Sequence, residues 1–172
     1  MNQVIENILT RRSVRKFTEE KISRQDLELI LKCAAYAPSG MNKQTWQFTA
    51  VTDRKKLDEL ATVIGKELGR EGYNFYNADV LIIPSNIRDG YWSKEDNACA
   101  LENIFLAAHS LGIGSVWINQ LQQISDKPAV RKLLAEWGIP EEHVVHGMAA
   151  LGYAAESPSQ DVDKKGVIKI ID

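Results

Sequence analysis

Apolar residues recur at helical spacing in five stretches of this chain and gather into short unbroken runs between them. Val4, Ile5, Ile8 and Leu9 make one stripe over residues 2–10, and the pattern breaks at Arg11. Ser23 and Asp26 have capping-box spacing, in which hydroxyl and carboxylate each satisfy a free amide of the first turn. Leu27, Ile30, Leu31, Ala34 and Ala37 then predict a helix ending near Pro38. Asp53 is placed to cap a helix carrying Leu57, Leu60, Ala61, Ile64 and Leu68. Ser93 and Asp96 repeat the capping-box spacing ahead of Leu101, Ile104, Phe105, Ala108 and Leu111, with Gly112 as the stop. The fifth helix is expected from Ser125 to Trp137, closed by Gly138.

Strands are expected at Trp46 to Val51, Val80 to Ile83, Ser115 to Asn119 and Val144 to Tyr153. The run Val80-Leu81-Ile82-Ile83 suits a strand buried on both faces, stopped by Pro84. Residues 154–166 are polar and irregular, and Val167 to Ile171 is a last β-like stretch that must find a sheet edge, on its own subunit or a partner's. Strands and helices mix without strict alternation, which favours an α+β fold over a doubly wound one. No repeat or shift in composition divides the chain, so residues 1–172 read as one domain.

A chain of 172 residues can bury a sizeable core without staples. The net charge of −2 and pI near 6.0 provide no field for nucleic acid or an anionic membrane, so any basic site must be local. No signal-like segment or run of eighteen apolar residues occurs, and a soluble, cytoplasmic protein is expected. Cys33 and Cys99 fall inside predicted helices and read as free, buried thiols. His109, His143 and His146 lack metal-ligand spacing, no metal is expected, and no nucleophile motif or P-loop occurs.

Three segments hold candidate chemistry. If Arg11-Arg12-Ser13-Val14-Arg15-Lys16-Phe17 runs extended, Arg11, Ser13 and Arg15 share one face and could converge on a phosphate; the alternative is a solvated basic stretch. Ala37-Pro38-Ser39-Gly40-Met41-Asn42-Lys43-Gln44-Thr45-Trp46 combines breakers with amides, which suit the edge of a planar heteroaromatic ring but equally suit a plain loop. Leu111-Gly112-Ile113-Gly114-Ser115-Val116-Trp117-Ile118-Asn119 carries a helix end into a strand through two glycines without completing a dinucleotide fingerprint, and by itself reads as a Gly C-cap.

In this order and spacing, RRSVRKF, PSGMNKQTW, ALENIFLAAHSLGIGSVWIN and Gly152-Tyr153 resemble the nitroreductase family over nearly the whole chain. The resemblance implies an α+β sandwich around a mainly antiparallel sheet, in a homodimer whose C-terminal tails (154–172) embrace the partner and whose two FMN sites lie at the interface. It implies non-covalent FMN held by Arg11, Arg12, Ser13 and Arg15, with Asn42 and Gln44 at the isoalloxazine and Pro38, Ser39 and Gly40 lining the site from the opposite subunit. Trp117, Ile118, Asn119 and Gln120 would pass the flavin's inner face, with a backbone amide near Asn119 or Gln120 aimed at N5. Lys164 and Lys165 would stand where the family's tail arginine meets the phosphate, as point charges rather than forks.

The implied activity is ping-pong transfer of electrons from NAD(P)H through FMN to a small acceptor such as a nitroaromatic or quinone. Arg15, then Arg12, would stabilise the reduced flavin, and no protein residue would act as acid, base or nucleophile. Tyr73, Phe75, Tyr91 and Trp92 are candidates for stacking acceptors in a lid, or else for packing at the dimer. Related chemistries for the same fold are flavin consumption, reductive dehalogenation, or a non-catalytic FMN-binding regulator. This chain departs from the family's pattern at Thr45 and Ala154, where proline is frequent.

Overall fold

A computed structural model describes residues 2–159 and 162–172. Its helices are α1 (Gln3–Thr10), α2 (Arg24–Ala35), α3 (Arg54–Leu68), α4 (Ser93–Ser110) and α5 (Pro128–Glu136). Its strands are β1 (Gln47–Val51), β2 (Val80–Ile87), β3 (Gly114–Ile118), β4 (His143–Val144) and β5 (Met148–Gly152). The strands form one antiparallel sheet in the order β1-β2-β5-β3, with β4 paired to the far end of β2. This is the α+β architecture expected from the order of elements.

The sheet is buried on both faces, and strand periodicity divides the core in two. From β2, Leu81 and Ile83 join Leu57, Leu60 and Ile64 of α3 and Val130 and Leu134 of α5. Val80 and Ile82 face the other way, onto Leu27 and Ile30 of α2 and Leu101, Ile104 and Phe105 of α4. Alternate residues therefore enter different layers, so the strand reads as a continuous apolar run instead of an alternation.

Four boundaries differ from the sequence reading, each for a local reason. First, β2 does not stop at Pro84. Pro84 falls between the segment paired to β5 and the segment paired to β4, and its carbonyl accepts from Asn97 Nδ2 instead of from a strand. A residue's N–H and C=O point to the same side of a strand, so the missing donor faces a gap in the ladder. Second, the expected strand from Val144 to Tyr153 is two strands, separated where Gly147 lies under Trp117. Third, α5 starts at Pro128, a favoured first helical residue, while Ser125 donates from Oγ to the Leu121 carbonyl before the helix begins.

Fourth, the two capping boxes are not what their spacing suggests. At α2, Ser23 Oγ does accept from the Asp26 N–H, but it donates to the Asp26 carboxylate at 2.6 Å, so the acid holds the hydroxyl and not an amide. At α4, Ser93 is already helical and donates from Oγ to the Ile87 carbonyl, and Asp96 reaches a different segment altogether. The cysteines are free, as expected, but half-buried and not buried.

Two apolar features have no counterpart among the described residues. Among the described residues of α1 none is buried, and Val4, Ile5, Ile8 and Leu9 are all exposed. Val167 to Ile171 forms no strand on its own subunit, and Val167 is 94% exposed. Among the described residues, no helix is long and apolar enough to cross a membrane.

Candidate functional site

The N-terminal segment that follows α1 is extended and clamped to the sheet edge. The Val14 N–H donates to the Ser115 carbonyl at 2.9 Å, and Ser13 bridges Ser115 in parallel register. Val14 and Phe17 turn inward, seated on Gly114 and Gly152, where any Cβ would lie 2.9 Å and 2.8 Å from their side chains. Alternation then turns Ser13 and Arg15 outward, and both are exposed.

Arg11 and Ser13 line a pocket of about 150 Å³ with Glu102, Phe105, Ser115, Val116 and Trp117. Arg12 is directed elsewhere: its guanidinium donates to the carbonyls of Leu9 and Arg11, both at 2.8 Å, at the end of α1. A second pocket, of about 470 Å³, shares Trp117 and is lined by Lys94, Asn97, Ala98, Leu101, Asn119, Gln122 and His146. Lys94, Ala98 and Glu102 are successive fourth residues of α4, so the two pockets make one groove roughly 12 Å long between α4 and β3. Its floor is polar and underused: Asn97 Oδ1 and His146 Nε2 are buried without a hydrogen-bond partner.

Trp117, 42% exposed, presents its indole to this groove and donates from Nε1 to Asn119 Oδ1 at 3.3 Å. Ile118 is a core residue and can offer a ligand only its backbone. The Asn119 N–H donates to the Gln120 side-chain carbonyl at 3.0 Å, an exposed contact that a ligand atom could replace.

The loop 38–46 is a separate structure that packs against the N-terminal end of α4, at Trp92 and Asp96. Met41, Asn42 and Gln44 have φ of 53°, 55° and 49°, left-handed values that cost a non-glycine residue about 1–2 kcal/mol each. Gln44 Nε2 donates to Asn42 Oδ1 at 2.7 Å, and Gln44 N–H to Ser39 Oγ at 3.3 Å. Thr45, which replaces a frequent proline, donates from its hydroxyl to Asn86 Oδ1 at 2.7 Å and so ties the loop to β2. Gly40 is wedged on the Trp92 indole, where a Cβ would come within 2.4 Å.

The sequence-derived candidates thus fall into two groups. Arg11, Ser13, Trp117 and Asn119 share the groove; Pro38, Ser39, Gly40, Asn42 and Gln44 do not line it on their own chain. Lys164 and Lys165 are exposed in the tail and also stand apart from it. Of the lid candidates, Phe75 is 2% exposed in the core and its ring is not presented to an acceptor, whereas Tyr73, edge-on against it, is half-buried and lines a separate pocket with Ala61, Gly65 and Arg70. Burial pushes the Tyr73 phenol above its ordinary range. Tyr91 and Trp92 pack edge to face beside the loop, with Tyr91 exposed and Lys43 over the Trp92 ring. Sequence reasoning missed the α4 face of the groove and Asp96, whose regular helical spacing conceals any function.

A sequence model of the nitroreductase family matches residues 8–153. This chain belongs to the nitroreductase family. A nitroreductase from Bacteroides fragilis, solved with bound FMN, is 45% identical and superposes with a TM-score of 0.94 over 100% of both chains. An Archaeoglobus fulgidus protein provisionally assigned as an NADH dehydrogenase/NAD(P)H nitroreductase is 39% identical over 159 residues, 89% of this chain and 86% of its own. An iodotyrosine deiodinase from Thermotoga neapolitana is 45% identical over 126 residues, 62% of this chain and 68% of its own.

The donors of the groove fit FMN, the ligand of that nitroreductase. Arg11 and Ser13 offer charge-assisted and hydroxyl donors to a phosphate, and Trp117 and the Asn119–Gln120 backbone offer a surface and amides to a ring. Enclosure is incomplete. Sites for ligands of this class bury most of the ligand, and the groove of a single chain stays partly open.

All three histidines have lowered pKa values, and one of them, His146, lines the groove. Burial lowers all three below the ordinary value of 6.5, helped by Arg11 and Arg12 at His109, by Lys94 at His146 and by Arg131 at His143, where Glu142 opposes. Below that value the unfolded chain takes up protons that the folded chain does not, so stability is lost as pH falls through the lowered values. The urea midpoint is therefore expected to fall between about pH 7.5 and about pH 5.5, and replacing His146 by Gln should flatten the slope. An unchanged midpoint over that range would refute the assignment.

Proposed function

We propose that this chain is a homodimeric, FMN-dependent NAD(P)H oxidoreductase that passes electrons to a small organic acceptor such as a nitroaromatic or a quinone. The observation that carries the reading is the α4–β3 groove, with Arg11 and Ser13 at one end and Trp117 and Asn119 beyond them, in a chain so close to an FMN-holding nitroreductase. Bound FMN would supply the centre that accepts hydride from the nicotinamide and reduces the acceptor. Arg11 and Ser13 hold the phosphate, and Arg15, exposed on the same edge, stabilises the charge that reduction places on the ring. Trp117 and the Asn119–Gln120 backbone support the inner face, leaving the outer face to nicotinamide and acceptor in turn.

Homodimer formation is supported by apolar surface that the single chain leaves uncovered. Exposed Val4, Ile5, Ile8 and Leu9 of α1 lie beside a groove of about 630 Å³ lined by Leu29, Tyr36, Leu106 and Ala107. An exposed apolar patch of this kind marks an interaction surface, and the family resemblance would set the partner's loop 38–44 over the flavin in such a pair. Residues 1–172 act as one domain in that assembly, and the composition suits a cytoplasmic location.

Absorbance of the purified protein, followed by anaerobic titration with NADH and with NADPH, tests the reading. A flavin spectrum bleached by at least one nicotinamide and restored by added quinone or nitroaromatic is expected. A colourless protein that takes up no FMN would overturn it. A second reading, reductive dehalogenation on the same fold, is favoured by the likeness to the Thermotoga neapolitana deiodinase. Halide release from a halophenol, with no nitroaromatic turnover, would select it.

A further inference from the structure

Asp96 is almost fully buried, 6% exposed, in the first turn of α4, yet its carboxylate reaches outside the helix to which it belongs. Its Oδ1 accepts from the Gly40 N–H at 2.8 Å, across 56 residues of sequence. A buried carboxylate needs such a partner, and the first turn of a helix is a favourable place for negative charge. The bond reaches the loop immediately before the strained residues: Met41, Asn42 and Gln44 follow, all at positive φ. Strain of this kind persists only where the surroundings over-determine it.

Here they do so from both sides. Trp92 blocks Gly40 on one face, and the hydrogen bonds that tie residues 39–45 to other elements run from Gly40 to Asp96 and from Thr45 to Asn86. The loop is therefore pinned at Gly40 and at Thr45, with the strained Met41, Asn42 and Gln44 between the pins and Ser39 directly before the first, and the pin at Gly40 is the one made to a carboxylate.

We propose that Asp96 is the positioning residue of the flavin-covering loop: by holding the Gly40 amide it fixes Ser39, Gly40 and Asn42 in the strained geometry that meets the flavin of the partner subunit. The proposal rests on the FMN reading above. Asp96 itself touches no ligand; it acts through Gly40. Because α4 also lines its own subunit's groove with Lys94, Ala98 and Glu102, one helix builds one wall of its own site and anchors the cover of the other.

The test uses the full-length FMN-loaded dimer and the variants Asp96→Ala and Asp96→Asn. Asp96→Ala is expected to weaken FMN binding about tenfold or more, the effect of losing a hydrogen bond to a charged group, and to change the visible circular dichroism of the bound flavin. Asp96→Asn keeps an acceptor oxygen and is expected to recover most of both, which a general loss of core stability would not do. Independently of any variant, the Gly40 amide of the parent should exchange slowly with solvent. FMN affinity and flavin dichroism unchanged in Asp96→Ala, or a freely exchanging Gly40 amide, would overturn the proposal while leaving the FMN reading standing. A parent that takes up no FMN would overturn both.

Discussion

Replacing Arg11 or Arg15 by alanine is expected to weaken FMN binding roughly ten- to a hundredfold each, since each removes a charge-assisted contact worth about 1.5–3 kcal/mol. Arg11 lines the narrow end of the groove with Ser13, and Arg15 lies two residues on, on the same outward side of a segment clamped to β3. Arg12 supplies the internal control. Its guanidinium is spent on the carbonyls of Leu9 and Arg11, so Arg12→Ala should cost less affinity than either neighbour while loosening the end of α1. Titration of the apoprotein with FMN, followed by quenching of flavin fluorescence, measures all three. If Arg11→Ala and Arg15→Ala both retain full affinity, the phosphate lies elsewhere and the groove is misread.

Deleting residues 155–172 is expected to lower FMN affinity and dimer stability together. The exposed stretch Val167 to Ile171 and the uncovered stripe of α1 are apolar surfaces that a partner would bury, and the same crossing would carry Lys164 and Lys165 towards a phosphate held by Arg11 and Arg15. A ligand contacted by both subunits binds the assembled state and not the separated chains, so it stabilises the dimer by mass action. At the root of the tail the Ala155 N–H donates to the Lys16 carbonyl, and Lys16 pairs with Glu156 at the surface. Exposed pairs of this kind contribute little. Sedimentation of the truncated protein at several concentrations, with and without FMN, measures the linkage. A truncated monomer that binds FMN as tightly as the full chain would refute the shared site.

Much of the fold was legible in the sequence because it is set by local periodicity. The helical stripes of α2, α3 and α4, the doubly buried run of β2 and the Gly stops after α4 and α5 are properties of neighbouring residues, and the structure follows them closely. The RRSVR segment was legible for a similar reason. Alternation in an extended chain decides that Val14 faces in and Ser13 and Arg15 face out, whatever lies opposite.

What the sequence left undecided depends on partners distant in the chain. Pro84 reads as a stop until the sheet places a gap beside it, and Ser93 and Asp96 read as a cap until Ile87 and Gly40 arrive as their actual partners. Phe75 looks like a lid residue by composition, but its burial against Tyr73 is a tertiary fact. Arg11, Ser13 and Arg15 share one face by strand geometry alone, whereas Arg12 is withdrawn by the end of α1. The groove itself belongs to neither α4 nor β3 singly, since it exists only where antiparallel pairing sets Trp117 opposite every fourth residue of a helix. Periodicity fixes which way a side chain points; only the packed chain decides what it meets there.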